Sequence, residues 1–353
     1  MSALRLFART ARIPVHTAFS APPRPSSRVS APAQLPGLLL TLALALALAA
    51  CAPKVKLFQD ASEPLMECLL EGEGQGKVAV IPVSGVISDE AAKGWFGSRP
   101  SMVQEVVSQL NLAAEDTQIK AVVLKIDSPG GTTTASDILY HEITRFKEKS
   151  KAKVVAAMMD VAASGGYYTA LSADRILAHP TTITGSVGVI FMRPKAYGLM
   201  DKIGISMEVS KSGANKDGGS PFREETAEEK AIFDAITKSE AERFLGLVRE
   251  RRHPSEEAMA EIATARIFDA QRAKALGLVD AVGYLGDALK EARTLAGLPD
   301  NAQVVAFRRT PPANDNLYNS ATSREGTPTP LVSLGLESFL AAPKAGFYYL
   351  WLP

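Results

Sequence analysis

Residues 153–168 read Lys153-Val-Val-Ala-Ala-Met-Met-Asp160-Val-Ala-Ala-Ser164-Gly-Gly-Tyr-Tyr168, and the parsing of this stretch decides the fold. Lys153 to Met159 is a short run of Val, Ala and Met of the kind that forms a buried strand. Gly165 and Gly166 then open a segment with a helical pattern through Ala173. Ser164 thus falls at a strand-to-helix junction, in the last non-helical position. Free backbone N–H groups at a helix start favour negative charge. A serine there is either an ordinary N-cap or a nucleophile presented beside donors for a developing oxyanion.

Two neighbouring segments weigh on that choice. Ala121 to Asp127 is a second buried-type strand, and it ends in the turn Ser128-Pro129-Gly130-Gly131. Glycines let backbone approach a ligand closely, so the Gly131 N–H is a candidate oxyanion donor beside that of Gly165. Further on, Val209 to Asp217 is a Gly- and Ser-containing loop that offers Lys216. Helical patterns at Ser101–Leu112 and Thr134–Lys149 flank the Ala121–Asp127 strand, which is the signature of a parallel α/β sheet. A long charged helix is expected at Thr226–Arg252, with Ile232, Phe233, Ile236, Phe244, Leu247 and Val248 as its buried stripe, stopped by Pro254.

Taken in order, five segments resemble the bacterial signal peptide peptidase A family, the protease IV type of Ser–Lys peptidase. They are Asp127–Gly131, Ala163–Tyr168, Thr184-Gly185-Ser186-Val187-Gly188-Val189, Lys211–Asp217 and Ala273–Asp280. The resemblance runs from about Lys77 to about Gly297. It implies a Clp/crotonase-like α/β fold with a parallel sheet flanked by helices, in a single copy, unlike the long tandem form. It implies Ser164 as nucleophile, Lys216 as general base and Ser186 as the residue that hydrogen-bonds the lysine. It also implies peptide substrates (cleaved signal peptides and other unfolded segments), no cofactor, and a ring-like homo-oligomer in which a neighbour supplies the lysine.

The chemistry stands beside the resemblance. A serine hydroxyl needs a neighbour to take its proton, and histidine usually does so. The four histidines are His16, His141, His179 and His253, and none lies in a glycine-rich loop. Lysine substitutes where burial disfavours its charged form. Asp217, next to Lys216, would oppose this if the two side chains converged.

Residues 1–59 contain no Asp or Glu, and Arg5, Arg9, Arg12, Arg24 and Arg28 give a positive start. An apolar run from Leu38 follows, ending Leu48-Ala49-Ala50-Cys51. A basic region, a short apolar stretch and small residues make a secretory signal. Leu-Ala-Ala-Cys matches a bacterial lipobox, so residues 1–50 are expected to be removed and Cys51 to carry lipid. A retained signal anchor is the alternative; either way the catalytic domain lies outside the cytoplasm, on the periplasmic face. Residues 51–76 are then a lipid-anchored tether, 77–300 the peptidase domain, 301–330 a flexible Pro/Thr/Asn/Ser-rich linker and 331–353 an apolar tail ending Phe347–Pro353. That tail could dock on its own domain, on another subunit or at the membrane surface.

Composition narrows the partners. The chain has 39 basic and 38 acidic residues, and five of the arginines fall in the leader, so the remainder is slightly acidic. Nucleic acid is not an expected partner. No Cys/His cluster has zinc spacing, so no metal is expected. With Cys51 acylated, Cys68 is left unpaired. Two rivals to a serine endopeptidase are kept: a crotonase-type acyl-CoA enzyme on the same fold, and a non-catalytic lipoprotein scaffold. The export signal argues against the first; the presence of Ser164, Ser186 and Lys216 together argues against the second.

Overall fold

Val, Ile, Leu and Ala crowd the strands that carry the turns of interest, so these strands must be covered on both faces. The computed structural model describes residues 63–94, 97–322 and 345–352. Its first half runs β1 (Met66–Glu71), β2 (Gly74–Ser84), the small hairpin β3 (Ala92–Gly94) and β4 (Gly97–Arg99), then α1 (Met102–Glu115). Next come β5 (Ile119–Ser128), β6 (Gly130–Thr132), α2 (Thr133–Ser150), β7 (Lys153–Ala163) and α3 (Gly165–Ala170). The second half continues with β8 (Arg175–Ala178), β9 (Ile183–Gly185), β10 (Ile190–Met192) and α4 (Tyr197–Ile203). It goes on through α5 (Ala227–Arg252), α6 (Glu256–Ile262), β11 (Ile267–Asp269) and α7 (Ala270–Ala275). The last elements are β12 (Ala281–Val282), α8 (Leu285–Ala296), β13 (Ala302–Arg308) and β14 (Gly346–Leu350).

The main sheet has the order β1-β13-β2-β5-β7-β8-β12. From β13 to β12 every pair is parallel, and β1 closes one edge antiparallel to β13. β7 forks: Val155–Met158 pair with β8, whereas Val161–Ala163 pair with β9. This fork splays the sheet just before Ser164. A second sheet, β10-β14-β6, is antiparallel throughout.

The period-2 alternation of β5 sorts its side chains between two cores. Val122, Leu124 and Ile126 join a cluster with Val106 and Leu110 of α1 and Leu139 and Ile143 of α2. Ala121 and Val123 face the other way, against Leu285, Ala288, Leu289 and Ala292 of α8. Both faces are thereby buried, which accounts for strands too uniformly apolar to show which way they face.

Several expectations need correction. The segment assigned to the tether contains β1 and the start of β2; β1 pairs with the β13 edge that would otherwise be open. The segment assigned to a linker begins with β13, and its next residues are pinned. Arg308, almost fully buried, pairs with Asp315 at 2.9 Å, and Lys125 donates to the carbonyls of Leu317 and Asn319 at 3.0 and 3.1 Å. The helix after Ser164 stops at Ala170 rather than Ala173, because the N–H groups of Ser172 and Ala173 turn back to Thr169 and Ala170. In α5, Phe244 and Val248 are buried as expected, but Ile232 and Ile236 are exposed because the N-terminal half of that helix stands off the core. The leader and Cys51 lie outside the described residues.

Candidate active site

Ser164 joins β7 to α3 with φ 52° and ψ −116°, outside both helix and strand regions. Such a conformation in a non-glycine residue costs about 1–3 kcal/mol and persists only where the surroundings enforce it. Here the Ser164 N–H donates to the Gly185 carbonyl at 2.8 Å, and its own carbonyl accepts from the Tyr168 N–H at 2.8 Å. Its side chain makes no capping hydrogen bond, so the ordinary N-cap alternative is not what the structure contains. Ser164 is only 1% exposed, and its buried Oγ has no hydrogen-bond partner among the described residues. A buried polar atom left unpaired in this way calls for an explanation.

The turn is fixed from below by two tyrosines. The Tyr167 hydroxyl donates to the Leu278 carbonyl at 2.8 Å, and the Tyr168 hydroxyl donates to Asp137 at 2.6 Å. Burial, then the Asp137 carboxylate, pushes the Tyr168 phenol well above its ordinary range. Burial also pushes the Asp137 carboxyl up, but bonds from Arg243 and Tyr168 outweigh that, leaving it below the usual carboxylate value.

Gly131 lies on β6, in the strand next to the nucleophile turn. Ser128 shapes its approach: the Ser128 Oγ donates to the Gly85 carbonyl at 2.6 Å and accepts from the Gly130 N–H at 3.1 Å. Gly130 has φ +104°, and a Cβ on it would fall 1.9 Å from the Tyr349 carbonyl oxygen and 2.7 Å from the Gly165 nitrogen. A Cβ on Gly131 would fall 1.8 Å from the Ile87 carbonyl oxygen. No side chain fits at either place, so β6, the Gly165 turn and β14 pack backbone against backbone. The two candidate oxyanion glycines are thus brought to one place.

Ser186 directly follows β9 with φ 50°, next to the Gly185 whose carbonyl holds the Ser164 N–H. Its own N–H donates to the Arg266 carbonyl at 2.8 Å. Lys216 is not brought to the serines. It sits exposed in the loop between α4 and α5, and among the described residues no hydrogen bond joins it to Ser164 or Ser186. Asp217 is occupied elsewhere. Hydrogen bonds from Arg223 and then Lys211 hold its carboxyl far below the usual carboxylate range. Arg223 also bonds Glu229, the capping-box residue of α5. The carboxylate next to Lys216 in sequence therefore does not have to pair with it.

Sequence reading missed β14. Tyr348, Tyr349 and Leu350 pair antiparallel with Thr132, Gly131 and Gly130, while Phe347 and Tyr348 pair with Phe191 and Ile190 of β10. Tyr349 is almost fully buried, stacks on Tyr168 at 5.0 Å and contacts Phe244 at 4.9 Å. The described end of the tail, residues 345–352, thus docks on its own domain. Its run of aromatics was visible, but the acceptor groove is made of three segments remote in sequence.

The model of peptidase family S49 matches residues 146–299, and the Clp protease model matches residues 98–183, so the mixed sheet with its flanking helices is Clp protease-like. A protein of Enterococcus faecium named as a signal peptide peptidase SppA is 33% identical over 301 residues, 83% of this chain and 87% of that protein. A Synechocystis protein named as a protease, slr0021, is 37% identical over 65% of this chain and 78% of its own length. Protease 4 of Salmonella typhi is 30% identical over 76% of this chain and 42% of its own length. The Enterococcus protein is similar over most of both chains, so the chain belongs to peptidase family S49 and is a serine-type peptidase.

Proposed function

We propose that this peptidase is a membrane-tethered endopeptidase that degrades cleaved signal peptides or other extended segments with a Ser164–Lys216 dyad. The observation that carries the reading is Ser164 itself, with a buried, unpartnered Oγ on an enforced backbone beside two glycine segments. Ser164 Oγ attacks the peptide carbonyl while Lys216 takes its proton. The N–H groups of Gly131 and Gly165 hold the oxyanion. Lys216 returns the proton to the leaving amine as the C–N bond breaks, and water then hydrolyses the ester. Ser186 orients the lysine.

Binding of an extended peptide is supported by β14, an aromatic segment held as a strand between β6 and β10. Main-chain pairing of that kind gives affinity, and pockets for alternate side chains give specificity. The Tyr349 carbonyl lies against Gly130 and Gly165, where a substrate carbonyl would be needed.

Lys216 acts on the serine of a neighbouring subunit in a ring-like homo-oligomer. Its exposure supports this, as do the exposed Leu199, Ile203, Ile205, Met207 and Val209 that precede it. Lipid on Cys51 holds the ring at the membrane, with its catalytic domains on the periplasmic face. Among the described residues no helix is long and apolar enough to cross a membrane.

Subunit mixing tests the reading. Ser164→Ala and Lys216→Ala proteins are each expected to be inactive on a quenched fluorescent peptide, and exchange of their subunits to restore part of the activity. Continued inactivity in mixed oligomers whose composition is verified by mass would refute a dyad shared between chains.

A further inference from the structure

A column of aromatic rings links the strand in the cleft to the loop that carries Lys216. Phe347 of β14 stacks on Phe191 of β10, with centroids 4.3 Å apart and planes 18° from parallel. Phe191 stacks in turn on Phe233 of α5, at 4.5 Å and 25°. The Arg193 guanidinium lies over both lower rings, 4.9 Å from the Phe191 centroid and 4.4 Å from that of Phe233. It also pairs with Glu225. Phe191, Phe233 and Phe347 are all half-buried and stand outside the two main cores.

The far end of the column meets the loop. Gly219 has φ +82°, and a Cβ on it would fall 3.3 Å from Phe233 Cζ and 3.5 Å from Arg193 Cδ. Two residues on, the Pro221 carbonyl accepts from the N–H groups of Ala196 and Tyr197 at 2.7 and 2.9 Å. The backbone just after Lys216 thus rests on Phe233 and Arg193, whose other contacts lead to the cleft.

We propose that Phe233 and Arg193 are positioning residues for Lys216, and that they act when Phe191 is covered by an aromatic or large apolar side chain of the strand between β6 and β10. In the structure Phe347 provides that cover. It lies two residues before Tyr349, whose carbonyl sits beside the oxyanion glycines, and so on the same face of the strand. A peptide in that register covers Phe191 with its own side chain and steadies the loop of the subunit that binds it. Because that Lys216 serves the serine of the neighbouring subunit in the reading above, occupancy of one cleft is passed to the base of the next, and selection between peptides around the ring is made partly through the base and not only through a pocket. The proposal rests on the Ser–Lys reading above for the consequence of a steadied loop; the coupling itself does not need that reading.

Hydrogen–deuterium exchange on the full chain reads the coupling directly. Stacked aromatic pairs of this geometry shift an equilibrium by roughly two- to tenfold. Phe347→Ala should therefore accelerate amide exchange in residues 213–221 by about that factor, with strand residues 122–126 unchanged as an internal control. Phe233→Leu keeps an apolar side chain and removes the stack. It should accelerate the same amides, and Phe347→Ala added to it should do nothing more. Excess peptide Gly-Phe-Tyr-Tyr-Leu should restore protection to the Phe347→Ala protein, whereas Gly-Ala-Tyr-Tyr-Leu should not. Unchanged exchange in 213–221 for Phe347→Ala, additive effects in the double variant, or equal rescue by both peptides would each overturn the proposal. A serine-directed probe on the same samples separates the two readings: loss of coupling with Ser164 still labelled sinks this inference alone. An unlabelled Ser164 with the coupling intact sinks the dyad alone.

Discussion

Replacing Gly165 by alanine perturbs the site at its tightest point. The new Cβ would stand 2.4 Å from Ser136 Oγ, 3.0 Å from the Tyr349 carbonyl oxygen and 3.1 Å from Gly130 Cα. Ser136 is fully buried and its Oγ donates to the Thr132 carbonyl at 2.9 Å, so it cannot swing away without losing that bond. Forcing a methyl into such a place costs about 1–3 kcal/mol. The helical backbone of residue 165 gives back about 0.5–1 kcal/mol on exchange of glycine for alanine. The net loss of stability is therefore modest, at most about 2.5 kcal/mol, and the protein should still fold. Activity should suffer far more, because the strain pushes the residue-165 N–H out of line. Loss of one oxyanion donor lowers kcat by about 10²–10³-fold. Thermal unfolding and kcat on a quenched fluorescent peptide measure the two effects separately. Adding Ser136→Ala removes the closest contact and should recover part of both. A folded Gly165→Ala enzyme with wild-type kcat would refute the assignment of Gly165 as a donor.

Three further outcomes follow from the charges and the leader. Asp280 is pushed up by burial, but bonds from Arg252 and the Ile176 N–H bring it below its ordinary 3.8. Its contribution is thus present above that value and is lost as pH falls below it. The stability gap between wild type and Asp280→Asn in urea should accordingly close below about pH 4; a gap constant down to pH 2 would contradict the pairing. Burial lowers the Lys125 amine from 10.5 to about 8. Since the folded value lies below the unfolded one, wild type should gain stability between pH 8 and 10.5, by at most about 3 kcal/mol. Lys125→Met should lack that gain, and parallel profiles for the two proteins would rule the buried amine out as its source. Cys51→Ser should abolish lipidation and change the processed form in a membrane fractionation; unchanged mobility and membrane partition would identify the leader as a retained anchor.

The parts of the site that were legible in sequence are local ones. Ser164 and Gly165 are marked by an apolar strand followed at once by paired glycines, and Gly131 by the Ser-Pro-Gly-Gly turn. Both signals depend only on neighbours in the chain. The α/β order was legible for the same reason, through alternating buried strands and helical stretches. The groove for β14 was not, since it needs β6, β10 and α5 to be assembled first. β1 was lost to the tether reading because a half-exposed edge strand carries less apolar signal than β5 or β7. β13, buried between β1 and β2, was lost to the linker reading because its short apolar run leads straight into a Pro-, Thr- and Asn-rich stretch. The exposed side of α5 was misread because its apolar residues keep helical spacing whether they meet this core or another surface. The position of Lys216 relative to Ser164 depends on a loop fixed by Arg223 and Gly219, contacts that no local pattern announces.

The identity of the nucleophile can be read in one experiment. The wild-type protein is treated with a fluorophosphonate serine probe, digested and mapped by mass spectrometry, alongside Ser164→Ala. The expected result is a single adduct on Ser164 that disappears in the variant. An adduct on another serine, or labelling of equal extent in Ser164→Ala, would contradict Ser164 as the residue that attacks the peptide bond.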